Sequence, residues 1–264
     1  MPVEIVHWNP LWPWFPGRIG RRVPGKRPVN NFGDLIGPML VGRILEERHI
    51  QDSQRATATG RLLTVGSILQ FAEPGDVVWG SGVNGRSPVL VDPSMLDIRA
   101  VRGPVTGEQL RADAGKVPEV YGDPGLLWAR YWPRESYESP TQRAPVTIVP
   151  NFHDYRNFRS DPRAVNPRSP VHDVISRIAN SDFVCGSSLH GIIIAESFGI
   201  PARLIRPGIE PPLKYDDYYS GTGRDSHKAA ATVPEAVALG GEPPVRWEAD
   251  ALLDAFPIDL WSKQ

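Results

Sequence analysis

DFVCGSSLHGIIIAESFGIP, residues 182–201, changes its hydrophobic period part-way along. Phe183, Val184 and Cys185 read as a short buried strand, and Gly186, Ser187 and Ser188 as a small-residue turn. From Leu189 onward the apolar positions Ile192, Ile193, Ala195 and Phe198 follow a helical spacing, closed by Gly199 and Pro201. Strand, turn and helix in this order aim backbone N–H groups and two hydroxyls at the helix N-terminus, where the dipole favours an anion. His190 falls in the first helical turn, beside that spot. An imidazole that titrates near neutral pH next to an anion cradle suits chemistry on a phosphorylated or carboxylated substrate. The same pattern also fits a helix capped by Ser188 with His190 filling a gap, and spacing alone leaves both readings open.

The chain around this stretch alternates strand and helix. Before it stand a strand at Val146–Pro150, a loop over 151–166 and a helix at Val171–Asn180; after it stands a strand at Ala202–Ile205. This β-loop-α-β-α-β order favours a parallel sheet. KYDDYY (214–219) reads as a short helix, followed by helices near 234–239 and 248–256. The first half repeats the scheme. Strands are expected at 2–8, 62–65, 76–80, 98–101 and within 117–127, with helices at about 35–47 and 106–114. The polar, Pro- and Arg-rich segment 128–144 has no periodicity and is assigned as a linker. The expected fold is therefore α/β with two Rossmann-like domains, residues 1–135 and 145–264, the second including the C-terminal helix.

Composition narrows the function classes. The chain has 264 residues, 41% of them hydrophobic, which is enough for a real core. A formal net charge of −1 argues against a dedicated nucleic-acid binder. A single cysteine, Cys185, excludes an internal disulfide framework and cysteine-rich zinc sites; it is expected to be a buried strand residue. The N-terminus lacks a signal-peptide pattern and no apolar run approaches membrane-spanning length, so a cytoplasmic location is expected. No metal is expected, because the carboxylates are not clustered at ligand spacing.

Three loops carry further candidate chemistry. Residues 8–30 combine Trp8, Trp12, Trp14 and Phe15 with Arg18, Arg21, Arg22, Lys26 and Arg27. Too Pro-rich for a helix, this segment reads as an aromatic and cationic flap over a polar ligand or against a membrane surface, or as a loop packed on the domain. In NFGD (31–34), Asn31 and Asp34 suit sugar hydroxyls, Asp34 also as a proton acceptor; the alternative is Asp34 as a helix cap. Gly80, Ser81 and Gly82 follow a strand and allow close backbone approach to a ligand, without the spacing of a dinucleotide site. Arg102 stands at a strand's C-terminal end, where open α/β sheets bind ligands.

NFGD (31–34), WGSG (79–82), VRGPVT (101–106), YGDPGLL (121–127), VPNFHDY (149–155), GSSLHG (186–191) and KYDDYY (214–219) occur in order. As a set they resemble the polysaccharide pyruvyl transferase family, over about residues 30–225. The resemblance implies a GT-B-like fold with two domains facing across a cleft. It implies transfer of the enolpyruvyl unit of phosphoenolpyruvate onto two hydroxyls of a saccharide, free or lipid-linked, to give a cyclic ketal. No cofactor beyond the donor substrate is implied. The acceptor in such pathways sits at the inner face of the cytoplasmic membrane, which the basic flap suits. On this reading His190 is the acid, Asp34 the base, and His153 a rival for either role. Ser187 and Ser188 bind the donor, and Asn31, Asp34 and Gly80–Gly82 the acceptor. Many family members carry Arg two residues before the motif His, where this chain has Ser188; Arg102, Arg206 or Lys214 would supply the missing cation. A GT-B glycosyltransferase using a nucleotide sugar and a non-catalytic sugar binder are the competing readings.

Overall fold

The computed structural model describes residues 3–13, 25–112, 116–139 and 141–262. In chain order the strands are β1 (Glu4–Val6), β2 (Leu11–Pro13), β3 (Lys26–Pro28), β4 (Arg61–Leu63), β5 (Val77–Trp79), β6 (Asp97–Ala100), β7 (Thr147–Ile148), β8 (Val184–Gly186) and β9 (Ala202–Leu204). The helices are α1 (Phe32–Glu47), α2 (Asp52–Thr57), α3 (Pro104–Ala112), α4 (Trp128–Tyr131), α5 (Tyr155–Phe158), α6 (Val171–Ala179), α7 (Leu189–Ser197), α8 (Leu213–Gly221), α9 (Val233–Leu239), α10 (Ala249–Asp254) and α11 (Asp259–Ser262).

Two parallel sheets organise the chain, in the orders β1-β4-β5-β6 and β7-β8-β9. Their central strands, Val77–Val78–Trp79 and Val184–Cys185–Gly186, are buried at every position. Continuous burial is what a parallel strand covered on both faces requires. Burying each large apolar side chain contributes about 1.5–3 kcal/mol. Cys185 is fully buried in β8, and its surroundings push the thiol up to about 12, so it is no nucleophile.

α1 buries Phe32, Ile36, Leu40, Val41, Ile44 and Leu45. Its first turns join the core of the second sheet: Phe32 and Ile36 share a cluster with Val174, Ile178 and Ile193. Its later turns join Leu62 and Trp79 of the first sheet. The helix thus starts at Phe32, earlier than the sequence suggests, and Asp34 lies inside its first turn instead of capping it.

Three further expectations are corrected. The C-terminal helix, grouped with residues 145–264 from sequence, packs on the first sheet. Leu252, Leu253, Phe256, Leu260 and Trp261 join Trp79 there, and the Trp79 indole N–H donates to Leu252 O at 2.8 Å. Segment 128–144 is no loose linker: Trp128 is fully buried, stacked on Trp132 with ring centroids 4.2 Å apart. Part of the Pro-rich flap is a hairpin, with β2 antiparallel to β3. Trp14, Phe15, Arg18, Arg21 and Arg22 lie outside the described residues. Among the described residues, no helix is long and apolar enough to cross a membrane.

Candidate active site

Loops following β1, β4, β5, β7 and β8 converge at the carboxyl ends of their strands, where open α/β sheets place ligands. They enclose a cavity of about 220 Å³, to which the first half of the chain contributes Trp8, Asn31, Asp34, Ser67, Asn84 and Arg86. The second half contributes Asn151, Phe152, His153, Ser188, His190, Glu210 and Lys214.

The turn after β8 is built as its sequence suggests. Ser188 is the N-cap of α7 and its hydroxyl accepts from Gly191 N at 3.2 Å. Ser187 does not line the cavity; its hydroxyl accepts from Asn151 N at 3.1 Å and shapes the neighbouring loop. Asn151 in turn accepts from the backbone N–H groups of His153 and Asp154, turning Phe152 outward. Trp8 and Trp12 meet Phe152 edge-on, with centroids 6.0 and 5.4 Å away. The resulting aromatic wall carries Trp8 and Phe152 into the cavity.

His190 is largely enclosed. Its ring lies against the first turn of α1, so close that a Cβ on Gly33 would fall 2.4 Å from Nδ1. Gly33 of the NFGD motif is therefore small because His190 is there. Burial, followed by the charges of Lys214 and Arg102, pushes His190 down to about 3. The imidazole of the free protein is neutral at pH 7. Asp34 lines the same cavity; burial pushes its carboxyl up to about 6, while a hydrogen bond from Asn31 Nδ2 at 2.5 Å and the Lys214 charge pull the other way.

The cations form one group. Lys214 Nζ donates to Glu210 Oε2 at 3.1 Å, and burial lowers its basicity. Arg86 Nη2 lies 3.8 Å and His153 Nε2 3.7 Å from Glu210 Oε1. Glu210 thus sits where a bound anion would meet three cationic or ionisable groups. Among the described residues, no group of three or more His, Cys, Asp or Glu is placed to hold a metal ion.

Several sequence candidates lie elsewhere. Arg102 is fully buried; its Nε donates to Asp217 Oδ2 at 2.9 Å, its Nη1 to the Ser67 hydroxyl and its Nη2 to Val83 O at 2.8 Å. With every nitrogen engaged it ties the first sheet's loops to α8 and is no donor clamp. Arg206 lines a separate cavity with Tyr219 and His227. The Gly80–Gly82 loop does not line the site either: a Cβ at Gly80 would strike Pro124, one at Gly82 the Arg102 guanidinium, and the Ser81 hydroxyl donates to Gly66 O. Those glycines make room for protein, not ligand.

Arg86, Glu210 and Asp123 were not singled out from sequence. Arg86 follows the glycine loop and Asp123 belongs to YGDPGLL, so both carried a positional hint; Glu210, in a Pro-rich loop, carried none. Asp123 is fully buried, and its Oδ2 lies 3.9 Å from His190 Nε2.

A family model described as polysaccharide pyruvyl transferase matches residues 77–208, half of the chain. The span includes Arg86, Asp123, His153, Ser188 and His190. The succinoglycan biosynthesis protein ExoV of Rhizobium meliloti is 30% identical over 182 residues, covering 65% of this chain and 54% of that protein. An uncharacterized protein of Acanthamoeba polyphaga mimivirus is 28% identical over 186 residues, covering 64% of this chain and 63% of its own length. The chain thus spans between about half and just under two thirds of the length of these relatives. A solved structure of a functionally uncharacterized protein from Klebsiella pneumoniae aligns at 15% identity over 72% of this chain and 83% of that one, with a TM-score of 0.46.

Proposed function

The chain belongs to the polysaccharide pyruvyl transferase family, and from that premise we propose that it moves the enolpyruvyl unit of phosphoenolpyruvate onto two hydroxyls of a saccharide. The observation that carries this reading is the cavity's division of labour. Lys214 and Arg86 both meet Glu210, Trp8 meets Phe152 edge-on, and these two groups line one cavity with Ser188 and His190. The first set suits a small, doubly anionic donor; the second suits a sugar ring. The relation to ExoV, named for succinoglycan biosynthesis, supports a polysaccharide-pathway acceptor. The cavity's place between loops of both sheets supports a GT-B-like arrangement.

The residues divide the chemistry as follows. Lys214, Arg86 and the Ser188 hydroxyl with the α7 N-terminus hold the donor phosphate and carboxylate, displacing the carboxylate of Glu210. The donor's negative charge restores basicity to His190, which burial otherwise keeps neutral. Its proton passes to the donor's methylene carbon, which becomes the methyl group, and C2 turns cation-like. A saccharide hydroxyl adds to C2 while Asp34 takes its proton; a carboxyl held near 6 is a competent base at neutral pH. Phosphate leaves with its bonding electron pair. A second hydroxyl closes the ketal and gives its proton to the now neutral His190, while the proton on Asp34 leaves with phosphate. His153, with its side chain 44% exposed and its Nε2 3.7 Å from Glu210, would contact phosphate once Glu210 is displaced. The acceptor, lipid-linked or free, would be met at the inner face of the cytoplasmic membrane.

Thermal denaturation tests the donor assignment. Millimolar phosphoenolpyruvate is expected to raise Tm far more than inorganic phosphate does, with about 2.7 kcal/mol of stabilisation at 100 times Kd. Lys214→Gln is expected to remove that shift and Arg206→Gln to leave it whole. A shift with a nucleotide sugar and none with phosphoenolpyruvate would overturn the reading in favour of a glycosyltransferase.

A further inference from the structure

Asp123 reaches the site from beneath. It caps the 3₁₀ turn Pro124–Leu127, and one of its oxygens, Oδ1, accepts from Gly125 N at 2.9 Å. Among the described residues the other, Oδ2, has no hydrogen-bond partner, and neither does His190 Nε2; both are buried. Leaving a buried polar atom unpaired is costly, because it has given up water and gained nothing in exchange. Here two complementary ones face each other across 3.9 Å, less than 1 Å beyond hydrogen-bond reach. Among the described residues Asp123 is the carboxylate within 4 Å of Nε2; the charges that act on the ring are Lys214, from α8, and Arg102, each of whose guanidinium nitrogens already has an acceptor.

We propose that Asp123 is the positioning residue of His190, its carboxylate accepting the Nε2 proton and thereby leaving Nδ1 as the atom presented to the substrate. The chain's own design agrees. Nδ1 lies on the Gly33 side of the ring, and Gly33 leaves the ring room to settle there. Asp123 cannot swing away, because its first oxygen is fixed by the turn. A buried imidazole with two cations nearby is a poor acid or base on its own; a carboxylate at Nε2 stabilises the imidazolium and holds the ring's orientation. Burial pushes Asp123 itself up to about 6, so its carboxylate is ionised at pH 7.5. This last role rests on the proposed pyruvyl transfer; the pairing itself does not.

Long-range ¹H–¹⁵N correlation spectra of ¹⁵N-histidine-labelled full-length protein, without any ligand, test the pairing. The His190 ring is identified by the signals that vanish in His190→Gln. At pH 7.5 the wild-type ring is expected as the Nε2–H tautomer. Asp123→Asn retains an oxygen for Gly125 N and turns an amide N–H toward Nε2, so the ring is expected to flip to Nδ1–H with the fold kept by circular dichroism. A wild-type ring in the Nδ1–H form, or a folded Asp123→Asn protein with an unchanged tautomer, overturns the proposal. If the variant does not fold, the wild-type tautomer decides alone. Failure of phosphoenolpyruvate to shift Tm with the tautomer as expected would overturn the donor reading and leave the pairing standing.

Discussion

The turn after β8 and the glycine loop after β5 are the same device in sequence: a buried strand, then small residues, then a positively charged or ionisable side chain close by. In the folded chain they do opposite work. At the β5 loop the space left by Gly80 and Gly82 is filled by Pro124 and Arg102, and each guanidinium nitrogen of Arg102 has an acceptor. At the β8 turn, His190 and Asp123 each keep a buried atom without a hydrogen-bond partner among the described residues, and His190 lines a cavity. A completed polar network fixes structure. An incomplete one waits for a ligand or a proton.

The largest expected effect tests the completed side. Arg102→Met leaves Asp217 buried with its charge uncompensated, although Thr106 N and Oγ1 still donate to it at 2.8 and 2.7 Å. Breaking such a pair costs about 3–5 kcal/mol, so chemical denaturation is expected to show a loss of that size. A loss under 1 kcal/mol would mean that Arg102 is not the tie between α8 and the first sheet, and the contrast between the two loops would fail.

A smaller effect separates the two kinds of glycine. Gly33→Ala places a methyl 2.4 Å from His190 Nδ1, and overpacking of this kind costs about 1–3 kcal/mol. The stability loss is expected to come with loss of the phosphoenolpyruvate-induced Tm shift, because the ring that lines the donor site must move. Gly82→Ala, aimed at Arg102, is expected to lower stability while leaving that shift in the protein that remains folded. Equal effects of both variants on donor binding would erase the distinction.

The difference between these loops is also the measure of what the sequence could reveal. The alternation of strand and helix was legible because its period changes at Gly186–Leu189 and again at each turn, and both parallel sheets follow from it. Segment 128–144 was misread because its four-residue helix is too short to display a period. The β2–β3 hairpin was hidden by prolines, which are tolerated here because the pair is exposed and two-stranded. Within the site, His190, Asp34, Asn31, Ser188 and Lys214 were legible as polar residues at helix starts. Asp123 was not chosen, because a DP turn explains its presence completely until His190, 67 positions later, is found above its free oxygen. A glycine after a strand reports that something approaches the backbone; only the fold says whether that is Arg102 or a substrate.

The smallest effect concerns protons at the incomplete side. His190 is held near 3 against an ordinary value of 6.5, so the unfolded chain takes up a proton on acidification that the folded chain refuses. That stability is present above 6.5 and is lost as pH falls toward 3, by at most about 1.4 kcal/mol for each pH unit. Asp34 and Asp123 act in the opposite sense: raised from 3.8 to about 6, they favour the folded state below 3.8 and lose that contribution as pH rises through 6. The net curve is therefore shallow, and the imidazole is isolated only by difference. Between pH 6.5 and 5.5 wild-type protein is expected to lose stability relative to His190→Gln, read from paired urea melts. If wild type instead gains on the variant, the folded imidazole binds the proton more tightly than the unfolded one. Asp123 would then outweigh burial and stabilise the imidazolium in the free protein, beyond orienting the neutral ring, and the polar cluster under the β8 turn would be as complete as the one under β5.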